Sequence, residues 1–310
     1  MDLVELRAGN GARVKARRRE VRVAPSVTLH TLEVGEGPAL VMLPGWSQTA
    51  EMFHEQLVGL PGSRRVIAVD QRGHGRSPSP PGGYRVHRLA ADLEQLMSCR
   101  ELGRVDLLAH SMGVGVAFAY LDLFGPERIS SLVLVDQMPR ALREPSWSDD
   151  QAEEVGATMD SAGLFEFRDG LRGPDGERLR RGFLESVTSD GIEGDLLEWM
   201  AEQNAAFPRK HAAELIFNNA VPDWRDLIPT IRRPTLVISG DSVNVPLRSQ
   251  QWVHDQIPDS ELAIVRGRHG GTHFPFPREP RRVQPSSVEV PCRFGRVSRS
   301  RRAMSGSVVL

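Results

Sequence analysis

Val105-Asp106-Leu107-Leu108-Ala109-His110-Ser111-Met112-Gly113-Val114 is the stretch whose reading decides the fold. Residues 105–109 form a short, almost continuous apolar run, as expected of a strand buried on both faces. Residues 114–124 read as a helix. Small residues stand two before and two after Ser111, at Ala109 and Gly113. A sharp strand-to-helix turn needs them there, because a larger side chain at either place would meet the neighbouring backbone. Such a turn presents the serine hydroxyl at a helix N-terminus, where peptide N–H groups and the helix dipole can stabilise a developing oxyanion. The plainer reading is a serine that caps a core helix, and the strand before and helix after weigh against it.

Outward from this turn the pattern repeats. Apolar runs at 39–43, 66–69, 131–135, 235–238 and 262–265 predict further strands, and residues 21–34 alternate well enough for two antiparallel strands. Val86, Leu89, Leu93, Leu96 and Met97 follow helical spacing. Strands alternating with helices imply an α/β fold with a mostly parallel sheet flanked by helices. The alternation breaks over residues 139–226, where helix-like segments succeed one another, and this predicts a helical cap inserted into the core. Its Trp147, Phe165, Phe167, Phe183, Trp199 and Trp224 are candidates to line an apolar pocket, although most such residues are simply core. The expected organisation is a flexible N-terminal extension over 1–20, a core over 21–138 and 227–280, the cap over 139–226, and an atypical tail over 281–310. That tail is arginine- and serine-rich and lacks apolar periodicity, so it reads as disordered.

Composition narrows the function classes. The 310 residues are 40% hydrophobic and 25% charged, which argues for one globular core with an insertion. A net charge of −1 gives no global field to recruit nucleic acid or an anionic membrane. The basic tail has no aromatic interleaving beyond Phe294, so no nucleic-acid partner is expected. Cys99 and Cys292 are too few and too far apart for a disulfide framework or metal knuckle. The N-terminus lacks a signal-peptide pattern and no stretch reaches membrane-helix length, so the expectation is a soluble, cytoplasmic protein with no membrane partner.

The chain resembles the α/β-hydrolase superfamily over residues 21–280. Leu43-Pro44-Gly45-Trp46 looks like the family's loop after the third strand, which implies an oxyanion hole formed by the backbone N–H groups of Trp46 and Met112. Asp70-Gln71-Arg72-Gly73-His74-Gly75-Arg76-Ser77 is similar to the family's glycine-rich turn, structural in most members, which makes His74 a loop-packing residue. A serine hydroxyl is a poor nucleophile unless an imidazole takes its proton. Gly270-Gly271-Thr272-His273-Phe274-Pro275-Phe276 resembles the family's histidine loop and nominates His273, with His269 four residues earlier as the rival. His110 adjoins the nucleophile but should point away from it on a tight turn. The acid has two candidate positions, Asp136 after the strand 131–135 and Asp241 after the strand 235–238, and either could merely cap a turn.

The resemblance implies hydrolysis of an ester, thioester or lactone of a small, largely apolar molecule, with no metal or organic cofactor. Two alternatives use the same residues. Leu-Pro-Gly-Trp at 43–46 and Gly-Gly-Thr-His-Phe-Pro at 270–275 are also similar to cofactor-free quinolone dioxygenases of this superfamily, in which a His-Asp dyad deprotonates an aromatic substrate. C–C bond hydrolysis can use the same serine triad. A non-catalytic ligand-binding member is the third class, since a fold alone never secures function. The oligomeric state is left open by the sequence.

Overall fold

A computed structural model describes residues 2–9, 11–188, 194–240, 244–265 and 273–274. Nine strands form one sheet in the order β1-β2-β3-β5-β4-β6-β7-β8-β9. They are β1 (Asp2–Arg7), β2 (Arg13–Ala24), β3 (Val27–Val34), β4 (Ala39–Leu43), β5 (Arg65–Asp70), β6 (Val105–His110), β7 (Ile129–Val135), β8 (Thr235–Ser239) and β9 (Ser260–Ile264). From β5 to β9 every pairing is parallel, whereas β1, β2 and β3 add on antiparallel at one side. The expected mostly parallel sheet is present. Its central strands are the continuous apolar runs: all five residues of β4 and all five of β8 are buried. That is the pattern of strands covered on both faces.

Helices α1 (His54–Gly59), α2 (Val86–Cys99) and α3 (Met112–Phe124) belong to the core, as does α9 (Leu247–Gln256) between β8 and β9. Between β7 and β8 come α4 (Asp149–Glu154), α5 (Ser161–Arg172), α6 (Gly176–Ser186), α7 (Gly194–Ala205) and α8 (Arg209–Ala220), within the region expected to form a cap. The two ends of this insertion meet where the Trp224 N–H donates to the Pro139 carbonyl at 3.1 Å. Among the described residues no helix is long and apolar enough to cross a membrane.

One expectation is corrected. The described residues of the 1–20 segment are not a flexible extension, because β1 and most of β2 lie there, paired from Asp2↔Arg18 to Arg7↔Arg13. The arginine run masks a strand pattern: Val14 is partly buried and Ala16 fully so, with exposed Lys15 between them and arginines on either side. Their charges are met locally, Arg18 by Glu51 at 3.1 Å and Arg19 by Glu33 at 3.2 Å. Long guanidinium stems can cover apolar surface while the heads find partners. The tail at 281–310 lies outside the described residues, as do Asp241 and His269.

The sheet order places β4 between β5 and β6, so the chain leaves β4 to one side and returns on the other. A crevice outside the carboxyl ends of the strands at such a switch point is where open α/β sheets bind ligands. β4 ends at Leu43, opposite Ala109, the penultimate residue of β6. Trp46 and Met112, each three residues further on, therefore leave the sheet at the same edge. The fit is tight: a Cβ on Gly113 would lie 2.5 Å from the Leu43 carbonyl oxygen and 3.0 Å from that of Pro44. Gly113→Ala is accordingly expected to cost about 1–3 kcal/mol in a urea titration, and a parent-like midpoint would contradict this packing.

Candidate active site

Three side chains meet above the carboxyl edge of the sheet. His273 Nε2 lies 2.7 Å from Ser111 Oγ, and His273 Nδ1 lies 2.8 Å from Asp136 Oδ2. With the ring proton on Nδ1 donated to the carboxylate, Nε2 is free to accept from the serine hydroxyl. Asp136 is 0% exposed and His273 6%, so water does not compete for this pair, while Ser111 is only partly buried.

The strand register explains how residues so far apart in sequence arrive together. His110, the last residue of β6, pairs with Val135, the last of β7, and Val135 pairs in turn with Ile238 of β8. Ser111 and Asp136 are the residues immediately after this row. Each steps off the sheet with φ of 52°, in the left-handed region, and each donates its N–H to the adjoining strand: Ser111 to the Val135 carbonyl at 2.8 Å and Asp136 to that of Ile238 at 2.9 Å. A non-glycine residue in that region costs on the order of 1–3 kcal/mol and persists only where its surroundings fix it. Two adjacent residues making the same strained turn put hydroxyl and carboxylate side by side, with His273 bridging them. The second carboxylate oxygen, Asp136 Oδ1, accepts the Gly240 N–H at 2.9 Å. The sheet therefore orients the carboxylate before the imidazole arrives.

The remaining candidates fall into place around this trio. Met112 is the first residue of α3, so its N–H has no acceptor within the helix. The Trp46 N–H has no hydrogen-bond acceptor among the described residues. His74 is a packing residue: its Nε2 accepts the Ser47 N–H at 3.2 Å, its Nδ1–H donates to the Arg72 carbonyl at 3.0 Å, and its ring stacks on Phe207. Burial pushes its pKa down to about 4, so it is neutral at pH 7.

His110 points away from the serine hydroxyl, as a tight turn requires, yet it is not idle. Its Nε2–H donates to the His273 backbone carbonyl at 2.7 Å, and its Nδ1 lies 3.1 Å from the Gln48 side chain. Burial, and secondarily the neighbouring His273, push its pKa down to about 3. The proton that Gln48 Oε1 accepts is the Gly45 N–H, at 3.0 Å. Sequence reading missed Gln48 and this role for His110, because a glutamine in a loop carries no signal and the His110 contact spans 163 residues.

The two depressed histidines make a prediction about stability. Both are neutral when folded, whereas in the unfolded chain each takes a proton near its ordinary value of 6.5. Their contribution is therefore complete above pH 6.5 and is lost as pH falls toward 4, by on the order of a few kcal/mol. Urea midpoints measured from pH 7 to 4.5 should fall, and fall less steeply in His74→Gln. Equal slopes in the two proteins would contradict the burial of a neutral His74.

Of the cap aromatics, Phe183 and Phe167 pack against Trp46, with ring centroids 5.4 and 6.2 Å away. Phe274, next to His273, packs with the cap cluster of Leu184, Val187 and Met200. Trp199 joins that cluster and stands edge-on to His54. Trp224 is in the core against Phe118, Trp147 packs against the guanidinium groups of Arg140 and Arg225, and Phe165 is exposed.

Comparison with known proteins agrees with this fold. Residues 38–178 match the family model described as the alpha/beta hydrolase fold. Non-heme chloroperoxidase CPO-A1 of Kitasatospora aureofaciens is 36% identical over 263 residues, which span 79% of this chain and 90% of that one. Among solved structures, a bromoperoxidase from Bacillus anthracis superposes with a TM-score of 0.73 at 25% identity, covering 83% of this chain and 93% of its own. An esterase from Exiguobacterium antarcticum shares the fold with a TM-score of 0.72 at 24% identity, over 81% of this chain and 91% of its own.

Proposed function

The chain belongs to the α/β-hydrolase fold family, and from that premise we propose that it hydrolyses an ester, thioester or lactone bond of a small, largely apolar molecule through Ser111, His273 and Asp136. One observation carries this reading: the continuous chain of contacts, 2.7 Å from serine to imidazole and 2.8 Å from imidazole to a fully buried carboxylate. Ser111 Oγ attacks the carbonyl carbon while His273 Nε2 takes its proton, and Asp136 stabilises the imidazolium that results. The carbonyl oxygen becomes an oxyanion, for which the N–H groups of Met112 and Trp46 are the donors. The imidazolium returns the proton to the departing alcohol or thiol, leaving Ser111 acylated. Water, deprotonated by His273, then attacks the acyl carbon and restores the serine hydroxyl.

Two further readings rest on specific observations. The 36% identical relative is named a chloroperoxidase. If hydrogen peroxide replaces water in the second step, the same acyl-enzyme yields a peracid and free serine, with every bond otherwise unchanged. The cofactor-free dioxygenases that the loops at 43–46 and 270–275 resemble carry the acid of their His-Asp dyad after the strand corresponding to β7, the position that Asp136 holds here. Steady-state assays separate the three. With p-nitrophenyl acetate and butyrate in plain buffer, the proposal expects release of nitrophenol without oxygen uptake. Turnover that needs hydrogen peroxide, or oxygen consumption with an aromatic hydroxy-ketone and no ester hydrolysis, would replace it.

A further inference from the structure

A donor on a loop stabilises a transition state only if it is held within about half an ångström of the right place. Trp46 sits on such a loop, and the groups that hold it belong mainly to the cap. The start of the loop is tied to the core: Gln71 Nε2 donates to the Pro44 carbonyl at 2.9 Å, and the Gly45 N–H is met by Gln48. From Trp46 onward the partners change. The Trp46 indole Nε1–H donates to the Ala212 carbonyl of α8 at 2.8 Å, a buried bond spanning 166 residues. Its ring meets Phe183 of α6 nearly edge-on, at 88°, and Phe167 of α5. Thr49 Oγ1 donates to Gln203 Oε1 of α7 at 2.6 Å. Ser47 reaches the cap through His74, whose ring stacks on Phe207, between α7 and α8, at 4.0 Å.

We propose that Trp46 is a positioning residue through which the cap sets the oxyanion hole: its indole bond to α8 fixes the peptide whose N–H faces the developing oxyanion. This rests on the hydrolase reading above. The consequence is that seating of the cap is felt in the chemical step. An acyl group that props α8 outward is bound but turned over slowly.

Two replacements test the indole bond. Trp46→Phe removes the N–H but also trims the ring. Incorporation of 3-benzothienylalanine at position 46 replaces the indole N–H by sulfur and leaves the bicyclic shape nearly unchanged, so it covers the case in which the phenylalanine variant packs badly. With p-nitrophenyl butyrate both should lose about 10- to 100-fold in kcat, with KM within about threefold. Affinity for a trifluoromethyl ketone, whose adduct on Ser111 carries an oxyanion, should weaken by the same factor as kcat. Thr49→Val, which frees the loop from α7, should move kcat in the same direction by less.

Unchanged kcat in the benzothienyl variant would overturn the proposal, as would a loss confined to KM, which is what a mere pocket wall would give. A parent protein that hydrolyses esters only with Ser111 intact keeps the underlying reading standing whichever way Trp46 behaves. A parent that hydrolyses no ester removes both.

Discussion

Ser111→Ala is expected to abolish ester hydrolysis, with kcat falling by about 10⁴- to 10⁶-fold and leaving only what binding and an oxyanion hole can give. The fold should be retained, since alanine is smaller than serine, although it must adopt the same φ of 52°. The bond from the position 111 N–H to the Val135 carbonyl belongs to the backbone and survives the change. Purified variant and parent should therefore unfold at similar urea concentrations while differing by orders of magnitude in nitrophenol release. Activity within about tenfold of the parent, a difference of only about 1.4 kcal/mol in the barrier, would remove Ser111 from the chemistry. The variant also separates the competing reactions. A His-Asp dyad acting alone would keep much of its turnover without the hydroxyl, and peracid formation would be lost together with hydrolysis.

Asp136→Asn should be nearly as damaging, by about 10⁴-fold when rates are normalised to folded protein. The side chain keeps its volume, and its oxygen can still accept the Gly240 N–H. What changes is the face toward His273. An amide NH₂ in place of Oδ2 asks Nδ1 to accept, so the ring proton moves to Nε2 and points at Ser111 Oγ. An imidazole in that tautomer cannot take the serine proton. A rate within tenfold of the parent, at equal thermal stability, would mean that Asp136 only caps the turn after β7 and that the acid lies elsewhere.

The fold was legible because its signals are local. Each central strand is a continuous apolar run, and Ala109 and Gly113 around Ser111 announce a turn that only small residues permit. The run of helices α4–α8 between β7 and β8 showed itself as an interruption of the alternation. The first twenty residues misled because arginines dominate the run from 13 to 19, and nothing in the sequence says that Glu33 and Glu51 wait to receive them. Within the site, the serine and its turn could be read from spacing, whereas the acid could not. Asp136 and Asp241 both follow strands, and choosing between them requires the register that aligns His110, Val135 and Ile238 across three strands. The hydrogen bonds that steady the histidine, from His110 to its carbonyl and from its ring to Asp136, span 163 and 137 residues. Contacts of that range leave no trace in a pattern of neighbours.

The central claim is that Ser111 is an activated nucleophile, and a fluorophosphonate probe tests it directly, because such reagents phosphonylate a serine whose proton is being withdrawn and spare ordinary hydroxyls. Parent protein, incubated with the probe, digested and mapped by mass spectrometry, should carry the label on Ser111. His273→Ala should carry little or none under the same conditions, although its serine is intact. Absence of label from the folded parent, or label on another residue while Ser111 stays unmodified, would contradict the account.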